Sequence, residues 1–516
     1  MLVDLKVGSL HEPLSGRRWD PPEITRRWLE RAALYRDLGL APSDCVFLHL
    51  GNTPEFFVEL LAIWALGGCV APIDPRLTPF EVQTLAAAAR PRFSVWPGAP
   101  VEEVAEPLAA SGARLVDVSE PSRGQNAAGD PVPPETPGGL DADALILFTS
   151  GTTGQPKGVV HTHRSLRARW IGLRQSLGVE KFRRTLCLLP THFGHGLICN
   201  CLFPWLSGQD LFIAPPFRSD LVIELGGLLD RCGITFLSSV PSLWRLALRT
   251  ARPPRRGTLE RVFCGSAPLS ASLWREIQQW AGTREVWNAY GITETGSWLA
   301  GSSIEDLVVE DGLIGPAWGS VVRVLRSGTV ELPPGLAEQC AAGEPGYVWV
   351  NTAALMRGYL GRDDLTRRVV RDGWFSTGDI GLLDARGFLY LRGRVREEIN
   401  KGGMKVYPGD IDAVVERFEG ASDVCAFGFE DALYGEDVGI AVVLEAREPA
   451  VLRRLLEWTR RHLARHQMPR RWYLLDEIPR SSRGKVNRSA VAEHCAQLAP
   501  LDLRELAGDE RGGADS

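Results

Sequence analysis

The chain has 516 residues, of which 44% are hydrophobic and 23% charged, and a formal net charge of −5. It is too long for one compact core, so two or more domains are expected, and so small a charge without aromatic-interleaved basic runs excludes a nucleic-acid partner. The N-terminus lacks a signal peptide's apolar core, and the most apolar long window, LLAIWALGGCVAPIDP, is too short to span a bilayer, so the expectation is a cytoplasmic protein with no membrane partner.

In chain order, FFVELLAIWALGG reads as a helix closed by glycines, and GGCVAPIDP follows it. The Pro-, Gly- and Ser-rich stretch SEPSRGQNAAGDPVPPETPGGLDAD reads as an exposed connection. LILFTS is a short buried strand running into a loop, and GYVWV and GFLYLRGR are strands bounded by glycine. Alternating helices and apolar strands predict a largely parallel α/β architecture. Near residue 395 the texture changes to a smaller run of helices and strands. This divides the chain into a large domain over 1–395 and a small one over 396–516, ending in a frayed tail. Ten cysteines are scattered; Cys199 and Cys201 have no second pair at metal-site spacing, so reduced thiols are expected.

The loop in TSGTTGQPKG holds the first chemistry. Ser150, Thr152 and Thr153 offer hydroxyls, Gly151 and Gly154 let backbone N–H groups turn toward an anion, and Lys157 adds a point charge suited to terminal phosphates. It is not the common nucleotide loop, because Pro156 precedes Lys157 and Gly158 follows it. In NAYGITETGS, Tyr290 beside Gly291 could stack on a base, Thr293 could hold a phosphate and Glu294 could hold magnesium. In WFSTGDIG, Asp379 could accept bonds from ribose hydroxyls, and Arg394 follows in RGRVREE. Taken singly, each has an ordinary structural explanation.

Together and in this order, TSGTTGQPKG, CGSAPLS, YGITE, STGD, GRVREEINKGGMKVYPGDID and PRSSRGKVNR resemble the adenylate-forming superfamily of acyl- and aryl-CoA synthetases, peptide-synthetase adenylation domains and beetle luciferases. The resemblance runs nearly end to end. It implies a large N-terminal α/β domain of layered sheets and helices and a small mobile α+β C-terminal domain, with the active site between them. The activity it implies is ATP- and Mg2+-dependent conversion of a carboxylic acid to an acyl-AMP, then transfer to the thiol of CoA. A carrier protein's phosphopantetheine or an amine stands as an alternative acceptor, and a catalytically silent nucleotide-binding regulator as a further reading. The protein is expected as a monomer or homodimer.

By the same resemblance, Thr149, Ser150, Thr152, Thr153 and Lys157 line the pyrophosphate path. Tyr290 stacks on adenine with Gly265, Ser266, Ala267 and Asn288 at its edge. Thr293 reaches the α-phosphate, Glu294 the magnesium, and Asp379 and Arg394 the ribose. Lys485 bridges carboxylate and α-phosphate. Arg396 is the hinge, Gly402 and Gly403 admit the thiol arm, and Lys401 is a candidate for CoA's phosphate. The acid pocket falls on Phe193, Gly194, His195, Ile198, Val262, Cys264, Ala289, Ser297 and Trp298. With Gly194 where amino-acid-activating relatives place Asp, an α-amino acid is disfavoured, and the mix of bulky and small residues suits an aryl or small cyclic acid.

Overall fold

The computed structural model describes residues 6–119, 139–149, 156–216, 218–305, 308–326, 339–395, 397–401, 404–431, 434–480 and 486–502. The layering starts from the helix Pro54–Ala65, whose residues are all buried except Glu55. Thr53 caps it, and Gly67, at φ 78°, lets the chain turn away at its end. A helix apolar all round must lie inside a larger core. Its one buried carboxylate, Glu59, is held by the Arg31 guanidinium and the Tyr35 hydroxyl, as a charge taken out of water requires.

Among the described residues the strands form four sheets. The first has eight strands, with Arg184–Cys187, Asp210–Ile213, Phe236–Ser239, Arg261–Gly265 and Val286–Ile292 running parallel at its centre. The second has seven, with Cys45–Leu48, Cys69–Pro72, Phe93–Trp96, Arg114–Asp117 and Asp143–Thr149 parallel and Lys157–Thr162 antiparallel to the last of these. One apolar cluster joins Val46, Val70, Phe93 and Leu145 of the second sheet to Cys187, Leu211, Phe236 and Phe263 of the first. Phe56, Leu60 and Trp64 of the buried helix, and Leu166 and Trp170 of the helix His163–Leu177, link the two. Truncating a buried side chain such as Phe57 to Ala costs about 3–5 kcal/mol.

The third sheet, Leu313–Gly315 to Leu389–Arg394, is antiparallel, so the parallel expectation describes the first two sheets and not this one. Its hairpin Trp374–Leu383 and Leu389–Arg394 carries the STGD stretch and ends on Gly393 and Arg394. The fourth sheet lies wholly within residues 399–474, and Ile399, Val406, Ile411, Val424, Ile440 and Trp472 build a separate core against helices Pro408–Val415 and Pro449–His462. The third sheet's last strand ends at Arg394 and the fourth sheet's first strand begins at Ile399. Across that line, Arg245 meets Glu416 at 2.6 Å, Arg417 meets Asp311 at 3.4 Å, and Arg392 meets Asp410 at 3.5 Å. All ten cysteines are free thiols. Among the described residues no helix is long and apolar enough to cross a membrane.

Candidate active site

The strands Asp143–Thr149 and Lys157–Thr162 form a hairpin whose last pair is Thr149 and Lys157, so both stand at the mouth of the loop they flank. Ser150, Gly151, Thr152, Thr153 and Gly154 lie outside the described residues, as do Arg396, Gly402, Gly403 and Lys485. Lys157 Nζ is 5.3 Å from the centre of the Tyr359 ring, a distance at which a cation is drawn to the aromatic face. The Tyr359 hydroxyl donates to Glu294 Oε1 at 2.8 Å, and the Met356 N–H donates to the Glu294 carbonyl at 2.8 Å. Tyr359 therefore joins the candidate phosphate lysine to the candidate magnesium carboxylate. It reaches them because Gly358–Tyr359 pairs with Val159 and Val160 as an extra strand beside the hairpin.

Thr293 and Glu294 occupy a short turn after the strand Val286–Ile292. Two buried side chains fix that turn from below. His161 Nε2 donates to the Thr293 carbonyl at 2.8 Å, while Nδ1 lies 3.1 Å from Ser165 Oγ. Burial pushes the His161 pKa down to about 4, so the ring is neutral. Arg169 donates twice to the Thr295 carbonyl, at 2.7 and 3.2 Å, and once to the Trp318 carbonyl at 2.8 Å. Burial lowers its pKa to about 10, which leaves it charged at neutral pH.

Of the residues expected at the nucleotide, Tyr290 stands on the first sheet and meets Asp379 and Arg394 of the third. Asp379 and Arg394 are direct cross-strand partners, and Arg394 Nε lies 3.0 Å from Asp379 Oδ1. The Tyr290 hydroxyl donates to Asp379 Oδ2, and burial followed by that carboxylate holds the phenol proton well above its usual range. Thr377 Oγ1 accepts the Asp379 N–H at 3.0 Å and donates to the Val348 carbonyl at 2.8 Å, which fixes the bend. Asn288 turns its amide away, donating to the Leu313 carbonyl at 2.7 Å. Gly265 and Gly291 are close-approach glycines: a Cβ would stand 2.2 Å from the Ala289 carbonyl oxygen or 2.3 Å from the Ser297 carbonyl oxygen. Ser266, at φ +67°, leads into partly exposed Ala267.

The residues expected at the acid separate by strand parity. Gly194 abuts Thr293, whose Oγ1 would be 3.4 Å from an added Cβ. His195 opens a π-helix, His195–Leu202, that carries Ile198. Its ring meets Trp298 edge-on at 6.0 Å, and Phe193 packs edge-on against His192 at 4.3 Å. Ile198, Ala289 and Trp298 share one apolar cluster with Phe263. Ser297, at φ +72°, is buried beside Trp298. Val262 and Cys264, expected beside them, pack instead with Leu269, Trp274 and Ile277. They alternate with Phe263 along one strand, and successive side chains of a strand face opposite ways. Lys401 also departs from expectation. It is buried, with Nζ 2.5 Å from Asp437 Oδ1 and 3.5 Å from the Met468 carbonyl, so its charge is committed within the small sheet rather than offered to a CoA phosphate.

Tyr359, His161 and Arg169 are supports that the sequence reading did not single out. Their signal, a lone aromatic or cation in an otherwise apolar segment, is common to many core positions.

The model of the AMP-binding enzyme family matches residues 20–360, and that of the AMP-binding enzyme C-terminal domain matches residues 410–485. A long-chain-fatty-acid–CoA ligase of Mycobacterium tuberculosis is 28% identical over 90% of either chain. A feruloyl-CoA synthase of an Amycolatopsis species is 29% identical over 91% of this chain and 92% of its own. The ATP-bound crystal structure of MatB from Rhodopseudomonas palustris superposes with a TM-score of 0.82 at 26% identity, covering 95% of this chain and 96% of that one.

Proposed function

The chain belongs to the AMP-binding enzyme family, and from that premise we propose that it joins an aryl or small cyclic carboxylic acid to AMP at the expense of ATP, then transfers the acyl group to the thiol of CoA. Its class is that of an acid–thiol ligase, in keeping with CoA-ligase relatives that match it along nine-tenths of its length. The observation that carries the reading is the convergence of Lys157 and Glu294 on Tyr359 beside the Thr293 turn.

In the first step a carboxylate oxygen of the acid attacks the α-phosphorus of ATP; a new P–O bond forms as the bond to pyrophosphate breaks. Such a step needs charge neutralisation and in-line placement more than covalent help from the protein. Lys157 and the hydroxyls of the loop from Thr149 meet the departing pyrophosphate, and Thr293 holds the α-phosphate. Asp379, set by Arg394 and Tyr290, faces the ribose. Glu294 would hold a magnesium ion, which binds through one or two carboxylates together with substrate phosphates. When bound, it neutralises charge on the phosphates.

In that first step Lys485 bridges the carboxylate and the α-phosphate. In the second step the CoA thiol attacks the acyl carbonyl and AMP leaves. The units 1–395 and 396–516 rotate about Arg396 between the steps, exchanging Lys485 for the Gly402–Gly403 loop. Likeness does not choose the acid, since relatives named for a long-chain fatty acid and for ferulate are equally similar. The compact-acid reading rests on Trp298 and His195. In ATP–pyrophosphate exchange, Lys485→Ala and Lys157→Ala are expected to lose about 10²–10³-fold with an unchanged melting temperature; wild-type exchange removes either lysine from the mechanism.

A further inference from the structure

The wall of the acid pocket is not uniformly apolar. His195 Nδ1 lies 2.7 Å from Ser266 Oγ, and Nε2 lies 2.7 Å from Ser238 Oγ, so a serine–histidine–serine chain crosses it. Ser238 is fully buried. Close by, the Trp298 indole is buried among Phe182, Phe236 and Phe263, yet its N–H finds no partner among the described residues. Both amide atoms of Asn200, fully buried on the same π-helix as His195, are also without a partner there.

Unpaired buried donors are costly and rarely tolerated without a purpose. Ser266, at one end of this chain, and Ser297, next to Trp298, are non-glycine residues held at φ +67° and +72°. Backbone strain of that kind persists where the surroundings enforce it, and it gathers at ligand sites.

We infer that the serine–histidine–serine chain of Ser238, His195 and Ser266, beside the unpartnered Trp298 N–H, recognises a hydrogen-bonding oxygen on the far end of the acid. The substrate class is thus a compact aryl or cyclic acid bearing a ring hydroxyl or keto group. This rests on the adenylation reading above. In a neutral histidine one ring nitrogen donates to one serine and the other accepts from the second. The serine that accepts from the ring keeps its own proton for the ligand. The serine that donates keeps lone pairs, so the chain can both donate to and accept from a hydroxyl. Trp298 closes the apolar end of the pocket, which limits length, and the chain sets the polarity at that depth.

The test compares matched acids in acyl-AMP formation: benzoate with its hydroxybenzoates, cyclohexanecarboxylate with its hydroxy and oxo forms, and butanoate with hydroxybutanoate. For at least one pair the wild-type enzyme is expected to prefer the oxygen-bearing acid by about tenfold or more in kcat/KM, the size of one well-made hydrogen bond. In His195→Phe and in Ser238→Ala that ratio is expected to fall to within about twofold of unity. Ser238→Ala removes a single oxygen and supplies the reading where the histidine variant does not fold. Ratios near one for every wild-type pair, or an unchanged ratio in both variants, overturn the inference while leaving adenylation intact. Failure of every acid to yield an acyl-AMP overturns the adenylation reading itself, and the inference with it.

Discussion

His161 Nε2 and the carbonyl oxygen of Thr293 are joined by a 2.8 Å hydrogen bond that ties the hairpin of Asp143–Thr149 and Lys157–Thr162 to the turn bearing Glu294. The bond requires a proton on Nε2, which the ring keeps while burial holds it neutral by lowering the pKa from 6.5 to about 4. The unfolded chain therefore binds a proton on this residue between pH 6.5 and 4 while the folded chain does not. Stability is fully present above pH 6.5 and is lost as pH falls through that window, by about 3 kcal/mol from His161. His49, lowered to about 3, and His163, lowered to about 4, add the same sign. Thermal melts should fall steeply between pH 7 and 5, and His161→Phe should narrow the difference. An identical pH slope in the variant contradicts this account.

Tyr359 separates two contributions by substitution. Tyr359→Phe keeps the ring under Lys157 but removes the hydroxyl that holds Glu294, and should lower exchange about tenfold with a raised magnesium requirement. Tyr359→Ala removes both contacts and should cost about 100-fold. Equal rates in the two variants, measured across a magnesium titration, would show that the hydroxyl carries nothing of its own.

Asp379 is buried between Tyr290 and the half-exposed Arg394. Asp379→Asn should raise KM for ATP about 10–100-fold, the loss of about two charge-assisted bonds, and leave KM for the acid unchanged. Initial-rate kinetics with each substrate varied in turn distinguishes this from a general loss of fold, which would lower kcat alike for both.

Arg245 and Glu416 form an ion pair across the line between the two units, and burial raises the Glu416 pKa to about 7 despite Arg245. For an acid raised in this way the folded protein holds the extra proton, so this group's contribution to stability declines as pH rises from 4.5 to 7 and is flat above. Asp311, Asp412 and Asp423 push in the same direction as burial. Glu416→Gln should remove an inflection near pH 7 from the ratio of thioester formation to adenylation, measured as separate half-reactions. Persistence of that inflection assigns it to another group.

The helix Pro54–Ala65 and the strand Asp143–Thr149 were legible in the sequence because they rest on local signals, periodicity and glycine punctuation. Strand parity carried less. Val262 and Cys264 sit two residues apart and so share a face, but nothing local says that Phe263 between them, and not they, faces Trp298. The commitment of Lys401 to Asp437 depends on a partner 36 residues away on another strand, and the Tyr359 bridge on a two-residue strand added at a sheet edge. Contacts of that range leave no trace in spacing.

The most direct test of the central claim is mass spectrometry of the purified protein with ATP, magnesium, CoA and a panel of carboxylic acids spanning benzoates, cinnamates, cyclic acids, fatty acids and amino acids. The account predicts AMP and pyrophosphate as products, an acyl-AMP from an aromatic or cyclic acid, and its conversion to the acyl-CoA. ATP binding with no acyl-AMP from any acid, or release of ADP and phosphate in place of AMP and pyrophosphate, would contradict it.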